Sequence, residues 1–191
     1  MAAPKPKAPG STALVIPASP APPGLAAFRR RHIHHPGAAV PFHVTIAAPF
    51  LPLHEFDDDV RARLRRVAGS LAPFDFAAGS ICCFPTTSVL WLAPSPVAPF
   101  EACTEAVAEA FPSVRPAEGQ PTFHLTVGLG SDADDLLRTV RAFRDAFEHR
   151  LPFRLRARHL DLYAEVGSAE IDGAEVGARY RRLARFALGR G

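Results

Sequence analysis

A short motif that combines one histidine with one threonine occurs twice in this chain of 191 residues. Residues 42–46 read FHVTI and residues 123–127 read FHLTV. In an extended strand, residues two positions apart point to the same face of the sheet. Each copy is therefore predicted to be a strand that presents an imidazole and a hydroxyl on one face. The apolar residues between and beside them point the other way, into a core.

Two such strands facing one cleft would hold the groups needed for acid–base chemistry on a phosphodiester without a metal. Histidine titrates near neutral pH, so one imidazole can take up a proton while the other gives one. We expect His43 and His124 to be the catalytic pair. We expect Thr45 and Thr126 to donate hydrogen bonds to the non-bridging phosphate oxygens.

Opening a 2′,3′-cyclic phosphate with water is one reaction that this set of groups could catalyse. The same ring opening, with a 5′-hydroxyl in place of water, would join two RNA ends without ATP. The sequence leaves open which histidine is the base, and the two roles exchange with the direction of the reaction.

The elements that must position these groups are themselves repeated. Each histidine strand is followed by a predicted helix and two strands, which gives a β-α-β-β unit written twice. The strand after the helix begins in a similar way in both units, at residues 73–76 (PFDF) and 152–155 (PFRL). Units of this kind pack as two lobes with helices outside. The predicted fold class is α+β, a bilobal fold in which antiparallel sheets line a central cleft.

Hydrophobic periodicity and turn residues set the expected boundaries. We expect residues 1–11 to form a flexible tail and residues 12–191 a single bilobal domain. The expected strands and helices are a strand over 12–17, a helix over 25–31, a strand over 42–47, a helix from 57 to about 71, strands over 74–84 and 89–92, a helix from 95, a strand over 122–128, a helix over 132–150, and strands near 153–164 and 178–188.

Composition excludes some chemistry. Lys5 and Lys7 are the only lysines, and both lie in the predicted tail. A covalent lysine nucleophile in the folded part is therefore excluded, and with it the ligases that form a lysine–nucleotide intermediate. The net charge of +3 is too small to indicate a polyanionic ligand by itself.

The cysteines and the apolar runs indicate the compartment. The three cysteines lack the spacing of a disulfide framework or a zinc site, so we expect reduced, mostly buried thiols. We also expect that the protein uses no cofactor. No apolar run reaches the length of a membrane span, and the N-terminal segment lacks the apolar stretch of a signal peptide. These features predict a cytoplasmic protein. The cysteines are Cys82, Cys83 and Cys103.

The two H-x-T-x motifs, their spacing and the duplicated unit resemble the 2H phosphoesterase superfamily, also called the LigT-like or 2′-5′ RNA ligase family. The resemblance extends over about residues 12–190 and is strongest over 29–52 and 122–130. Where some ligase-type members carry an arginine shortly after the second motif, residues 128–130 of this chain read GLG.

The resemblance implies catalytic roles for His43 and His124 and phosphate contacts for Thr45 and Thr126. Its members typically act on cyclic phosphates or 2′-5′ linkages in RNA or nucleotides, with no metal. We therefore expect a metal-independent phosphodiesterase, with reversible 2′-5′ RNA ligase activity as a further capacity. RNA ends or small nucleotides are the expected partners, with no membrane and no protein partner, for a monomer.

Two alternatives stay open. The first is a non-catalytic module that binds nucleotide or RNA on the same scaffold. The second is a metal enzyme built on a local histidine cluster, although the sequence nearby offers no carboxylate or cysteine to complete the coordination. The cluster comprises His32, His34 and His35.

Three further groups of residues could contact a substrate or serve only the fold. Aromatic residues that could stack on a base, but are more often core residues, are Trp91, Tyr163 and Phe50. Arginines that alternate along one predicted strand, and could bind phosphates or form a solvated face, are Arg154, Arg156 and Arg158. Arginines expected on a solvated helix face are Arg29, Arg30 and Arg31.

Overall fold

The computed structural model describes residues 10–34, 40–114, 122–166, 169–171, 174–176 and 179–189. Its helices are α1 (Leu25–His32), α2 (Asp58–Ser70), α3 (Ala98–Ala110) and α4 (Ala133–Phe147). Its strands are β1 (Thr12–Pro17), β2 (His43–Ala47), β3 (Phe74–Phe84), β4 (Val89–Ser95), β5 (Leu125–Leu129), β6 (Phe153–Ala157), β7 (His159–Val166), β8 (Ala169–Ile171), β9 (Ala174–Val176) and β10 (Arg179–Ala187). Among the described residues, no helix combines the length and the apolar character needed to cross a membrane.

The strands form two antiparallel sheets of four strands each. Sheet 1 has the order β10-β7-β1-β2, and sheet 2 has the order β5-β4-β3-β6. The short strands β8 and β9 pair with each other in a two-stranded sheet. This architecture confirms the predicted α+β class with antiparallel sheets. The two motif strands, β2 and β5, are edge strands of different sheets, and their Cα atoms approach within 8 Å. We call the line along which β2 and β5 meet the seam.

The duplicated unit is present in chain order, but its strands are exchanged between the sheets. The first unit is β2-α2-β3-β4 and the second is β5-α4-β6-β7. Strands β3 and β6 pair with each other in sheet 2, whereas β7 joins sheet 1. The single strand expected over 153–164 is therefore wrong, because the chain leaves sheet 2 after Ala157 and enters sheet 1 at His159. Each sheet contains strands from both units.

The helix that follows each motif strand begins at an aspartate cap. The Asp57 carboxylate accepts a hydrogen bond from the Val60 N–H at 2.8 Å, and Asp132 accepts from the Asp135 N–H at 2.8 Å. A side-chain oxygen at this position satisfies an otherwise unpaired backbone donor and is worth about 1 kcal/mol. Both helices of the repeat thus start in the same way.

One hydrophobic core supports both sheets. Phe100 of α3 is fully buried and contacts Phe74 and Phe76 of β3 edge-on, with ring centroids 5.0 and 5.1 Å apart. It also packs against Phe123, which directly precedes the second motif histidine, at 5.6 Å. Buried residues of β1, β2, β5 and β7 belong to the same cluster. The faces of the two sheets that point away from this cluster are therefore the faces left for a site.

The N-terminal end of the described chain contacts the fold. The Gly10 carbonyl accepts a hydrogen bond from the Leu53 N–H at 2.7 Å, and the Ser11 carbonyl accepts from the Glu165 N–H at 3.2 Å. Residues 1–9 of the expected tail lie outside the described residues.

Gly130 allows helix α4 to pack directly behind strand β5. A Cβ at this position would lie 2.7 Å from Leu136 Cα and 2.9 Å from the Asp132 carbonyl oxygen. Both neighbours are backbone atoms of the capped helix start and cannot rotate away. The glycine after the second motif is therefore required by packing.

Gly130→Ala should lower the free energy of unfolding by about 1–3 kcal/mol, because overpacking forces backbone shifts. Urea denaturation of the purified protein measures this change. The control is Leu137→Ala on the same helix, where the side chain is 54% exposed and the expected change is within about 0.5 kcal/mol. Equal stability of Gly130→Ala and the wild type would contradict the packing argument.

Candidate two-histidine site

Strand β2 places the first histidine and threonine on the face of sheet 1 that points away from the core. Val44 and Ile46 are buried in the core cluster, whereas His43 and Thr45 are partly exposed. This alternation is the one expected from the sequence. The neighbouring strand β1 lies alongside, with Val15 opposite Thr45.

Strand β5 places the second motif on the face of sheet 2 that points away from the core. Leu125 and Val127 are fully buried, and Thr126 is partly exposed. His124 is also partly exposed and lies one residue before the strand begins. The two motifs therefore occupy the outer faces of two edge strands that meet at the seam.

Each motif histidine is held by the carbonyl group two residues before it. His43 Nδ1 lies 2.6 Å from the Pro41 carbonyl oxygen, and His124 Nδ1 lies 2.8 Å from the Thr122 carbonyl oxygen. A carbonyl oxygen can only accept a hydrogen bond, so Nδ1 must carry the proton in both rings. In the neutral imidazole this assigns Nε2 as the nitrogen that can accept a proton from a ligand.

Two aromatic rings lie beside His124. Phe84, at the end of β3, stacks on Trp91 of β4 with centroids 4.8 Å apart and planes inclined by 25°. The His124 ring is edge-on to both, at 5.2 Å from Phe84 and 6.0 Å from Trp91. Trp91 also lies opposite Thr126 in the sheet. Both aromatic rings are partly exposed.

The other two aromatic candidates are buried. Phe50 is buried in the core cluster and contacts Phe111 edge-on at 5.0 Å. Tyr163 is buried against Val15 and Val40 on the outer face of sheet 1. Burial of both rings leaves Trp91, which is partly exposed, as the remaining candidate.

The expectation for the arginine run in α1 is wrong for its first member. Arg30 and Arg31 are exposed, but Arg29 is only 5% exposed. Its Nε donates to the Thr126 carbonyl at 3.2 Å, and its Nη1 donates to the Val40 carbonyl at 3.0 Å. Burial lowers the pKa of Arg29 to about 10, so the guanidinium still carries its charge at neutral pH.

The arginines expected to alternate along one strand do not all share it. Arg154 and Arg156 are exposed on β6, on the face opposite the buried Phe153 and Leu155. Arg156 forms an ion pair with Asp75 at 3.4 Å. Arg158 lies between β6 and β7 and is not part of either strand.

The histidines of the local cluster lie in different environments. The His32 ring packs on Phe28 with centroids 4.2 Å apart, and its Nδ1 lies 3.5 Å from the Thr139 hydroxyl. His34 is exposed, and His35 lies outside the described residues. In the part of the chain that the structure describes, no group of three or more His, Cys, Asp or Glu side chains could hold a metal ion.

The three cysteines are free thiols in different environments. Cys103 is buried in α3, and burial raises its pKa to about 12, so it stays protonated near neutral pH. Cys82 is half-buried and Cys83 is exposed. The expectation of mostly buried thiols therefore holds only for Cys103.

Comparison with known proteins identifies the class to which this fold and these motifs belong. Residues 16–169 match the family model described as the 2′-5′ RNA ligase superfamily, and the chain belongs to that superfamily. This membership confirms the resemblance to the 2H phosphoesterases.

Solved structures show the same fold. LigT of E. coli in complex with NADP+ has a TM-score of 0.54 at 19% identity and covers 95% of this chain and 99% of its own. The protein TT0787 of Thermus thermophilus has a TM-score of 0.59 at 16% identity, with 94% and 98% covered. A further structure, described as a phosphoesterase, has a TM-score of 0.54 at 18% identity, with 95% and 99% covered. A comparison with curated proteins gives no match.

The carbonyl contacts predict the tautomer of both motif histidines. At a pH where the rings are neutral, His43 and His124 should carry the proton on Nδ1, which long-range ¹H–¹⁵N correlation spectra distinguish from Nε2. The exposed His149 serves as the reference within the same spectrum. An Nε2-protonated neutral form of either motif histidine would contradict the assignment.

Proposed function

We propose that this protein is a metal-independent phosphodiesterase that acts on 2′,3′-cyclic phosphate or 2′-5′ linkages of RNA or nucleotides. His43 and His124 are its acid–base pair. The observation that carries the proposal is the arrangement of two H-x-T motifs on the outer faces of adjoining edge strands, each with Nδ1 held by a backbone carbonyl. Membership of the 2′-5′ RNA ligase superfamily supports it.

The proposed hydrolysis uses the Nε2 atoms on opposite sides of the phosphorus. One neutral imidazole takes a proton from water as the water oxygen forms its bond to phosphorus. The other imidazole, protonated, gives its proton to the ribose oxygen as the ring P–O bond breaks. One histidine ends protonated and the other neutral, and proton exchange with solvent restores the starting state.

The threonines have a separate role in this scheme. Thr45 and Thr126 project beside the histidines from the same strand faces, two positions along. Their hydroxyls donate hydrogen bonds to the non-bridging oxygens, where negative charge increases in the transition state. Because these donors are attached to strands, they need little reorganisation during the reaction.

The same groups serve ligation, in which a different nucleophile opens the ring. A ribose hydroxyl that replaces water attacks the cyclic phosphate, and the free energy of the strained ring drives formation of a 2′-5′ linkage. The imidazole that takes a proton from water in hydrolysis takes it here from the attacking hydroxyl, and the other imidazole protonates the ribose oxygen as the ring P–O bond breaks. The two roles exchange when the 2′-5′ linkage is cleaved back to the cyclic phosphate. Ligation is therefore a further capacity of the proposed site.

The stacked pair Phe84 and Trp91 supports a nucleotide as the substrate. Both rings are partly exposed, and stacking of a base on an aromatic ring is worth about 1–3 kcal/mol. LigT of E. coli, which shares this fold, has been crystallised with NADP+ and with 3′-AMP. We propose that the base next to the reacting phosphate stacks on the Trp91 side of His124.

Replacing either motif histidine tests the proposed chemistry. His43→Ala and His124→Ala should each lower kcat for a 2′,3′-cyclic nucleotide by ~10²–10⁴, the usual contribution of general acid–base help. His149→Ala, at an exposed histidine distant in sequence from both motifs, is the control and should keep the wild-type rate.

Each rate is also measured with and without a chelator. Wild-type rates in either motif variant would refute the acid–base pair. Loss of activity on chelation with rescue by zinc or manganese would favour a metal enzyme, and nucleotide binding without turnover would favour the non-catalytic module.

Trp91→Leu tests base stacking while keeping an apolar side chain. It should raise KM for a 2′,3′-cyclic nucleotide by about 5- to 100-fold, with little change in kcat, because stacking holds the substrate rather than the transition state alone. Ribose 2′,3′-cyclic phosphate without a base is the control substrate, and its KM should not change. Equal effects on both substrates, or none on either, would contradict the stacking role.

A further inference from the structure

Arg29 connects the two motif strands at the seam. Its Nε donates to the carbonyl of Thr126, which belongs to the second motif, and its Nη1 donates to the carbonyl of Val40, three residues before His43. One planar group thus binds the backbone of β5 and the segment that enters β2. Helix α1, which carries it, packs against β5.

Within the described part of the chain, the buried charge of Arg29 is not paired with an opposite charge, whereas the buried charge of Asp161 is. Asp161, fully buried on β7, is paired with Arg185 through two hydrogen bonds of 2.9 and 2.8 Å. Among the described residues, no carboxylate lies within ion-pair distance of Arg29, and burial is the cause of its lowered pKa. An unpaired buried charge costs several kcal/mol.

The two acceptors explain why an arginine occupies this position. Edge strands present backbone carbonyls that lack a ladder partner on the open side. A guanidinium donates from several nitrogens fixed in one plane, so it can bind two carbonyls at a set separation. An ammonium on a flexible stem keeps the charge but does not fix that geometry.

We infer that Arg29 is the positioning residue of this site: its guanidinium fixes β5 relative to the segment entering β2 and so sets the separation of the two H-x-T motifs. The catalytic consequence rests on the proposed function, because two imidazoles must meet one phosphorus from opposite sides. A misplacement of about 1 Å of reacting groups can lower a rate by ~10²-fold.

Arg29→Lys and Arg29→Gln test this role kinetically. Both should lower kcat for a 2′,3′-cyclic nucleotide by about 10- to 100-fold while KM changes less than threefold, because the binding groups remain and their alignment is lost. Arg30→Gln, at the exposed neighbour, is the matched control and should keep wild-type kinetics. Wild-type kcat in Arg29→Lys would overturn the inference, since charge alone would then suffice.

A binding measurement separates this inference from the proposed function. In the wild type, inorganic phosphate should shift the imidazole NMR signals of His43 and His124 with one common Kd. In Arg29→Gln, the two signals should shift with different Kd values, or only one should shift. A common, unchanged Kd in the variant would overturn the inference. If the wild-type protein turned over no substrate, the proposed function would be refuted. The phosphate-binding test of Arg29 would still be valid, because it does not depend on turnover.

The unmodified protein provides a test that does not depend on a folded variant. The Arg29 Nε–H should exchange with water at least tenfold more slowly than the Arg30 Nε–H, because it is buried and bonded to the Thr126 carbonyl. Equal exchange rates would overturn the inference.

Discussion

The shared hydrophobic core behind β2 and β5 is the constraint on which the rest of the structure depends. Val44 and Ile46 on one strand, and Leu125 and Val127 on the other, are held in the same cluster. Because side chains alternate along a strand, burying these four residues forces both histidines and both threonines to the opposite faces. A slip of one residue in either strand would bury an imidazole and expose an aliphatic side chain, so burial fixes the register.

Local backbone contacts orient the two imidazole rings that the core places on the outer faces. In both motifs, Nδ1 of the histidine binds the backbone carbonyl two residues before it. The two rings are thus oriented by backbone carbonyls at the entries to their own strands. This repetition is the structural counterpart of the repeated sequence motif.

Features encoded by neighbouring residues could be predicted from the sequence. The alternation in both motifs indicated the strand faces, and the aspartates at 57 and 132 indicated the helix starts. Which strands pair could not be predicted in the same way, because it depends on contacts between distant segments. The chain between Ala157 and His159 shows no sequence break, yet it passes from one sheet to the other.

The candidate site was predictable only where one residue type is tied to one role. The paired histidines and threonines stand out by repetition. Arg29 does not, because three successive arginines look alike in sequence and only the rotation of α1 turns the first one inward. Aromatic residues are similarly ambiguous, because the sequence does not show what covers each ring. Phe50 and Tyr163 are buried, whereas Trp91, opposite Thr126, is partly exposed.

The pH dependence of kcat for a 2′,3′-cyclic nucleotide tests the central claim most directly, because it reports both imidazoles in the enzyme–substrate complex. The rate should rise with pH as the base loses its proton and fall as the acid loses its own. We therefore expect a bell-shaped profile, with two apparent pKa values that belong to the pair. A flat profile between about pH 5 and 9, or a single limb, would contradict a mechanism in which two histidines act on one phosphorus.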